Sequence, residues 1–420
     1  MSTLPKLALI PSGYKASKVY SALPTNGDGD FTFSRTGNAT RVNKDGLIET
    51  VGSNVPRLDY SDSNCPTLLL EPQRTNLALY SENFEGTNWS AGNTVITQND
   101  SIAPSGEQTA IKLQRTSTSA SYRTHFIYKS ASAITYTTSV FVKQGEDNYF
   151  AMRSQGSYPS RVDIRFRFDT GLIYYAQATS GFTLIDYNVE NYPNGWYRVY
   201  FTYTSDTHTN ISLTFSPRET DGNIDSSDTS SNSFAYVWGG QTEVANYVSS
   251  YIKTEASAVT RTVDTCKLEN FNNAPTDYPF TAFVDMDVIS DETGFGFSII
   301  DISTPNIYFS VGYSEGATNK FRFTNRSQGT VYSFNTTSTY GTGRYKIAIK
   351  FISSTNFKAF IDGVEVADYT HTSSAFNSNI NDVLLGQLRA ITDTGTRNPI
   401  HQFMIFNEAL SDAELISLTT

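Results

Sequence analysis

Disulfide chemistry has almost nothing to work with in this chain. Two cysteines, Cys65 and Cys266, stand in 420 residues. They are too few and too far apart to staple a protein of this size, so both are expected to be free thiols. Histidine is nearly as scarce. None of His125, His208, His371 and His401 has a Cys or His partner at metal-ligand spacing, which argues against zinc. Basic charge is also short: Lys+Arg number 31 and Asp+Glu 41, giving a net charge of −10 and a pI of about 5.0. The electrostatic footprint of a nucleic-acid binder is therefore missing. No run of about 18 or more apolar residues occurs, so no membrane-spanning helix is expected. Near the amino terminus one apolar run, Leu7-Ala8-Leu9-Ile10, ends at Pro11. It is too short for a signal peptide, and the expectation is a protein made in the cytoplasm and released by another route. A Gly-x-Ser-x-Gly elbow and a P-loop are both lacking.

What is there is aromatic and rich in Ser and Thr. The 27 Phe and 26 Tyr, against 4 Met, suit strands and turns better than helices. Period-two alternation runs from end to end. Val162, Ile164, Phe166 and Phe168 alternate with Asp163, Arg165 and Arg167, which predicts a half-buried strand with a charged outer face. Asp169-Thr170-Gly171 then turns the chain into Leu172-Ile173-Tyr174-Tyr175, a hairpin. Tyr345, Ile347, Ile349 and Phe351 form a second alternating set, and Asp362-Gly363 marks another hairpin, because both turn residues tolerate positive φ. Further strands are expected at 282–289, 307–313 and 320–324. One stretch, 408–418, reads as helical, with Ser411 as its N-cap.

The fold class this predicts is all-β: two antiparallel β-sandwich domains preceded by a small amino-terminal segment. Residues 1–66 carry Pro, Gly and Asp-Gly punctuation and few long strands, and read as an anchoring arm. Residues 67–265 hold at least eight strand candidates, enough for one sandwich. Residues 270–277 read as a linker, and 278–420 as a second sandwich with the terminal helix.

Two resemblances follow from particular segments. The run Arg344-Tyr345-Lys346-Ile347-Ala348-Ile349-Lys350-Phe351, the hairpin around Asp362-Gly363, and the ending from His401 to Leu415 resemble a laminin-G/concanavalin-A-like domain. That resemblance implies fold rather than activity, since the fold hosts lectins, glycanases and spacers. The first two thirds resemble phage head spike or head fibre proteins. The segments are 39–49, 56–60, Leu68-Leu69-Leu70-Glu71-Pro72-Gln73-Arg74-Thr75-Asn76-Leu77, Trp238-Gly239-Gly240-Gln241-Thr242-Glu243, 249–254 and 258–261. This resemblance implies a central jelly roll like a carbohydrate-binding module. It also implies a virion surface protein held to capsid proteins through residues 1–66, in a homo-oligomer such as a trimer. No catalytic residues come with it.

Three sets of site residues stand out. Asp221, Asn223, Asp225 and Asp228 place oxygen donors at alternate positions, as a structural calcium loop does, although Gly and Glu are missing from the EF-hand positions. The bland reading is a solvated acidic loop; Asn26-Gly27-Asp28-Gly29-Asp30 is read as a tight turn. Tyr149, Tyr158, Tyr174, Tyr175, Tyr187, Tyr192 and Trp196 are candidates for a glycan-stacking face, with Trp196 and Trp238 expected in the core. Asp285 and Asp287 share one strand face, the arrangement of a glycanase pair, but alternation alone explains them. The sequence thus predicts a non-enzymatic virion protein, a head spike or fibre binding host or environmental glycans by avidity. The alternatives are a tail fibre or receptor-binding protein, a passive capsid decoration protein and, least supported, a glycan depolymerase.

Overall fold

The alternating stretches form strands, and their apolar sides meet in two separate cores. The computed structural model describes residues 3–301, 307–315, 317–327, 330–372, 380–388 and 396–420. The chain divides into two compact units. The central unit comprises Ala39–Thr50 and Arg74–Arg261; the carboxy-terminal unit comprises Met1–Asn38, Val51–Gln73 and Thr262–Thr420. The chain is all-β with sandwich architecture, as its patterning predicts.

In the central unit two six-stranded antiparallel sheets face each other. One sheet contains Tyr149–Gln155, Arg161–Arg167, Leu172–Thr179 and Asn210–Arg218; the other contains Thr135–Gln144, Trp196–Thr204 and Phe234–Glu243. Val162, Ile164 and Phe166 point inward with Phe150, Met152, Leu213, Val199 and Phe201. Burying one such side chain contributes roughly 1.5–3 kcal/mol. A smaller cluster of Ile48, Phe141, Trp196, Trp238 and Tyr251 packs on the other side of the second sheet. His125 lies in the main body of this unit at 1 % exposure. Its Nε2 accepts from the Leu79 N–H at 3.3 Å, and its ring lies 4.9 Å from that of Trp89.

The carboxy-terminal unit also has two sheets, one of eight strands and one of ten among the described residues. Phe280–Val288 lies between Gly343–Ser353 and Ile400–Phe406 in the first. Gly294–Ile300 lies between Asp382–Leu385 and Tyr308–Tyr313 in the second. The helix Asp412–Thr419 begins at Ser411, whose side chain and Glu414 cap each other reciprocally. Leu410 and Leu415 bury against Phe283, Ala348 and Phe360 on the outer side of the first sheet.

The domain boundaries differ from the expected ones. Residues 1–66 are not a separate arm. Leu7–Leu9 pairs with Ile400–Phe406, and Phe31–Ser34 pairs with Thr265–Leu268, so the amino terminus completes both sheets of the carboxy-terminal unit. The hairpin of Ala39–Val42 and Ile48–Val51 begins instead in the central unit. Nor is 270–277 a free linker: Phe271 is 1 % exposed in the carboxy-terminal core, and its N–H donates to the Asn381 carbonyl at 2.8 Å. Turn-like composition concealed two apolar anchors, Phe271 and Ala274. Cys65 is exposed and Cys266 buried, and neither is in a disulfide.

Two stability predictions follow from local geometry. Asp362 sits at φ 47°, and its carboxylate accepts from the Lys346 N–H at 2.9 Å. Asp362→Ala removes that bond and leaves at positive φ a residue without the short polar side chain that makes this conformation tolerable, a cost of about 1–2 kcal/mol. Hydrogen exchange followed peptide by peptide should show the loss in the carboxy-terminal unit only; equal loss in both would contradict their independence. Burial holds the His125 imidazole at about 4, below its usual value. The unfolded chain therefore takes up a proton that the folded state resists, and stability present above about pH 6.5 is lost as pH falls toward 4. The loss should reach about 2 kcal/mol at pH 5. Melting at pH 7 and pH 5 should show this drop in the wild type and a smaller one in His125→Gln.

Candidate functional site

The outer side of the sheet containing Arg161–Arg167 is where polar and aromatic groups concentrate. Because strand side chains alternate, burying Val162, Ile164 and Phe166 turns Arg161, Asp163, Arg165 and Arg167 outward. The neighbouring strands add Tyr149 and Arg153 opposite Arg167 and Asp163, and Tyr175 opposite Arg165. Arginine and tyrosine then pair off. Arg161 lies 5.5 Å from the centre of the Tyr158 ring, Arg165 4.1 Å from Tyr175, and Arg167 5.7 Å from Tyr149. Such contacts orient both partners at about 0.5–1 kcal/mol each on an exposed surface. Tyr174 sits at a bulge between Arg165 and Phe166 partners, edge-on to Tyr149 at 5.9 Å. From Arg161 to Arg167 the face runs about 20 Å at strand rise.

Four of the seven aromatic candidates thus gather here: Tyr149, Tyr158, Tyr174 and Tyr175. Tyr158 is 74 % exposed and Tyr174 38 %. Tyr187 is exposed on Thr183–Tyr192, a strand of the other sheet. Trp196, at 1 %, belongs to the buried cluster with Trp238, and Tyr192 packs against it. The arginines of this face are the residues that sequence reasoning did not single out. Their signal was visible in the Arg165-Phe166-Arg167 alternation, which was read only as a charged face.

The acidic loop has a different role from the expected one. Asp228 is buried between Arg218 at 2.9 Å and Arg115 at 3.0 Å, and it also accepts from the Thr220 hydroxyl at 2.7 Å. Asp225 takes both terminal nitrogens of Arg153 at 2.9 and 2.7 Å; chiefly that contact holds its carboxyl below the usual range. The Asn223 side-chain oxygen accepts from the Asp225 N–H and the Ser226 hydroxyl. Asp221 contributes its carbonyl to Arg165 and to the Tyr174 hydroxyl. Asp221, Asn223, Asp225 and Asp228 therefore do not converge on a cation. Among the described residues no group of three or more His, Cys, Asp or Glu is placed to hold a metal ion. Asp225 and Asp228 are guanidinium partners that fasten loop 219–233 across the sheet.

The carboxylates of the strand Phe280–Val288 are likewise engaged. Asp285, at 1 % exposure, forms a two-pronged pair with Arg344 at 2.8 and 2.7 Å, and Asp287 contacts His401 Nε2 at 2.9 Å. Asp62 joins this group, its carboxyl raised by burial and by Asp287 and Asp59. Elsewhere in the central unit a polar hollow of about 190 Å³ is lined by Glu82, Gln98, Asn99, Thr109, Lys253 and Glu255. Its charged groups pair internally, with Lys253 2.8 Å from Glu82.

The loop assignment is testable without any ligand. Asp228→Asn leaves two buried arginines uncompensated and should cost about 3–5 kcal/mol, read as a lowered melting temperature of the central unit. Chelation with EDTA should leave the wild-type melt unchanged. A calcium-dependent rise in melting temperature would restore the cation reading.

Against known proteins, residues 260–416 match the family model described as the concanavalin A-like lectin/glucanases superfamily. No curated protein matches the chain. Among solved structures, the chain is similar to the Ruminococcus gnavus IT-sialidase CBM40 bound to alpha2,3 sialyllactose, at 18% identity and TM-score 0.31, over 36% of this chain and 87% of that one. It is also similar to domain 4 of AbnA, a GH43 extracellular arabinanase from Geobacillus stearothermophilus in complex with arabinotriose, at 15% identity and TM-score 0.30, over 41% and 81%. Nothing about ligands follows from likeness at that level. The carboxy-terminal part of the chain is a concanavalin A-like domain, and it accompanies a second β-sandwich.

Proposed function

We propose that the protein is a non-enzymatic glycan-binding protein displayed on a bacteriophage particle, as a head spike or fibre. The observation that carries glycan binding is the open tyrosine–arginine face, where three rings are each backed by a guanidinium. A tyrosine ring offers its flat face to the C–H side of a sugar, and its hydroxyl and the arginine N–H groups meet sugar oxygens. The match of residues 260–416 to a lectin/glucanase superfamily supports the same class of ligand. The virion placement rests on the ordered segments from Ala39 to Arg261 that resemble head spike and head fibre proteins. Each contact on so shallow a face is weak, and many copies on one particle multiply it. Since residues 1–66 are woven into folded units, attachment to capsid proteins runs through a folded surface rather than a loose arm. No catalytic step is assigned to Asp285 and Asp287, which are occupied by Arg344 and His401.

The test combines placement and binding. Gold-labelled antibody to the full chain should decorate the heads of intact particles. The purified chain should be retained on a panel of immobilised glycans and leave their length unchanged. Combined Tyr149→Ala, Tyr158→Ala and Tyr175→Ala should weaken retention at least about tenfold, the loss of two or three stacking contacts. Gold at the tail tip would make it a receptor-binding fibre. Decorated heads without glycan retention would make it a decoration protein. Shortened glycans would overturn the non-enzymatic reading, and unlabelled particles the virion reading.

A further inference from the structure

We propose that the tyrosine–arginine face selects a carboxylated polysaccharide, with Arg165 as the residue that holds the sugar carboxylate. This rests on the glycan-binding reading and adds the class of sugar.

The argument is one of charge accounting. Five arginines stand on this side of the sheet, and four have carboxylate partners. Arg153 meets Asp163 and Asp225, Arg161 meets Asp163, Arg167 meets Asp169, and Arg218 meets Asp228. Arg165 meets none among the described residues. Its Nη1 donates to a neutral acceptor, the Asp221 carbonyl, at 2.9 Å. Among the described residues its Nε is buried with no hydrogen-bond partner, and its Nη2 makes no hydrogen bond. The Tyr175 ring lies 4.1 Å from the guanidinium centre.

Arg165 is therefore fixed in orientation by one hydrogen bond and one ring while its charge stays uncancelled. What remains of the fixed guanidinium is Nη2 and the second hydrogen of Nη1, which together suit a planar carboxylate that takes two parallel N–H bonds. The same sheet face already shows that preference in the forked pairs Arg153–Asp225 and Arg167–Asp169. Tyr174, at 38 % exposure, and Tyr149 lie beside Arg165 along the face, so a sugar ring on a tyrosine carries its carboxylate to the open arginine. A neutral sugar uses the rings and leaves the charge unused; a uronic acid uses both.

The test is binding of the full chain to immobilised polygalacturonate, alginate and hyaluronate, each compared with its carboxyl-reduced neutral form, with dextran sulfate against dextran as the other anion. Wild type should bind at least one uronate polymer about tenfold more tightly than its reduced form, and the margin should shrink as salt rises. Arg165→Gln should erase the margin, bringing the acidic polymer down to the level of its reduced form, while the melting temperature stays unchanged. Arg165→Lys, which keeps charge but not the planar fork, should recover only part of it. Lys267→Gln, which removes a positive charge paired with Glu269 in the carboxy-terminal unit, should keep the margin. Equal binding of acidic and reduced polymers, a margin that survives Arg165→Gln, or a larger margin for dextran sulfate would overturn the inference and leave glycan binding standing. Retention of no glycan at all would overturn both.

Discussion

A buried carboxylate, Asp264, is the constraint on which the carboxy-terminal unit depends. It lies between Arg35 at 3.3 Å and Arg57, whose Nη2 donates to its other oxygen, and it accepts from the Glu71 N–H at 2.9 Å. Arg57 also reaches the Glu71 carboxylate at 2.5 Å. Burial opposes the charge on Arg57, yet Asp264 and Glu71 outweigh it and raise its pKa above the ordinary arginine value. Two positive and two negative groups leave this buried set neutral, the condition under which such charges are tolerated away from water. Its parts come from both sides of the central unit, since Arg57 and Asp264 are 207 residues apart in sequence. Closing a loop of that length costs about 5 kcal/mol of chain entropy. The ladder that begins at Ser34 and Thr265 and continues to Asp382–Leu385 follows from that closure.

The central unit solves the same problem with amides. Asn76, where the chain enters, donates to the carbonyls of Gly240 and Ile252 at 3.0 and 2.8 Å. Its oxygen accepts from the N–H groups of Thr242 and Ala78, so every hydrogen-bonding position of that side chain is used. Near the exit, Arg261 donates to the Ser250 hydroxyl at 2.8 Å. Buried polar groups locate the ends of this unit because they are costly anywhere else. Apolar side chains tolerate many near-equivalent packings and would locate the ends less sharply.

This is also why some of the protein was legible in its sequence and some was not. Local periodicity and turn chemistry act over a few residues, so the strand Arg161–Arg167, the Asp362-Gly363 hairpin and the Ser411 cap were all readable. Partners 200 residues away leave no local mark. Arg35, Arg57 and Asp264 looked like ordinary charges, and residues 1–66 like an arm. Loop 219–233 misled for the same reason: alternate acids suit a cation equally as they suit arginines arriving from other strands. Tyr175 and Tyr192 are alike in strand context, but the second packs against the cluster that buries Trp196, a tertiary fact.

The acidic loop and the tyrosine–arginine face then become one device. Asp228 and Asp225 use their charges on Arg115, Arg218 and Arg153, and this fixes the loop backbone over the sheet. Fixing that backbone brings the Asp221 carbonyl, rather than a carboxylate, to Arg165. An exposed tyrosine ordinarily loses rotamer freedom when a ligand lands on it, which subtracts from affinity. Here Tyr158, Tyr175 and Tyr149 each rest one side on a guanidinium, so part of that ordering is complete before any sugar arrives. For a ligand of the kind proposed, a shallow face assembled in this way gains from preorganisation what it lacks in depth.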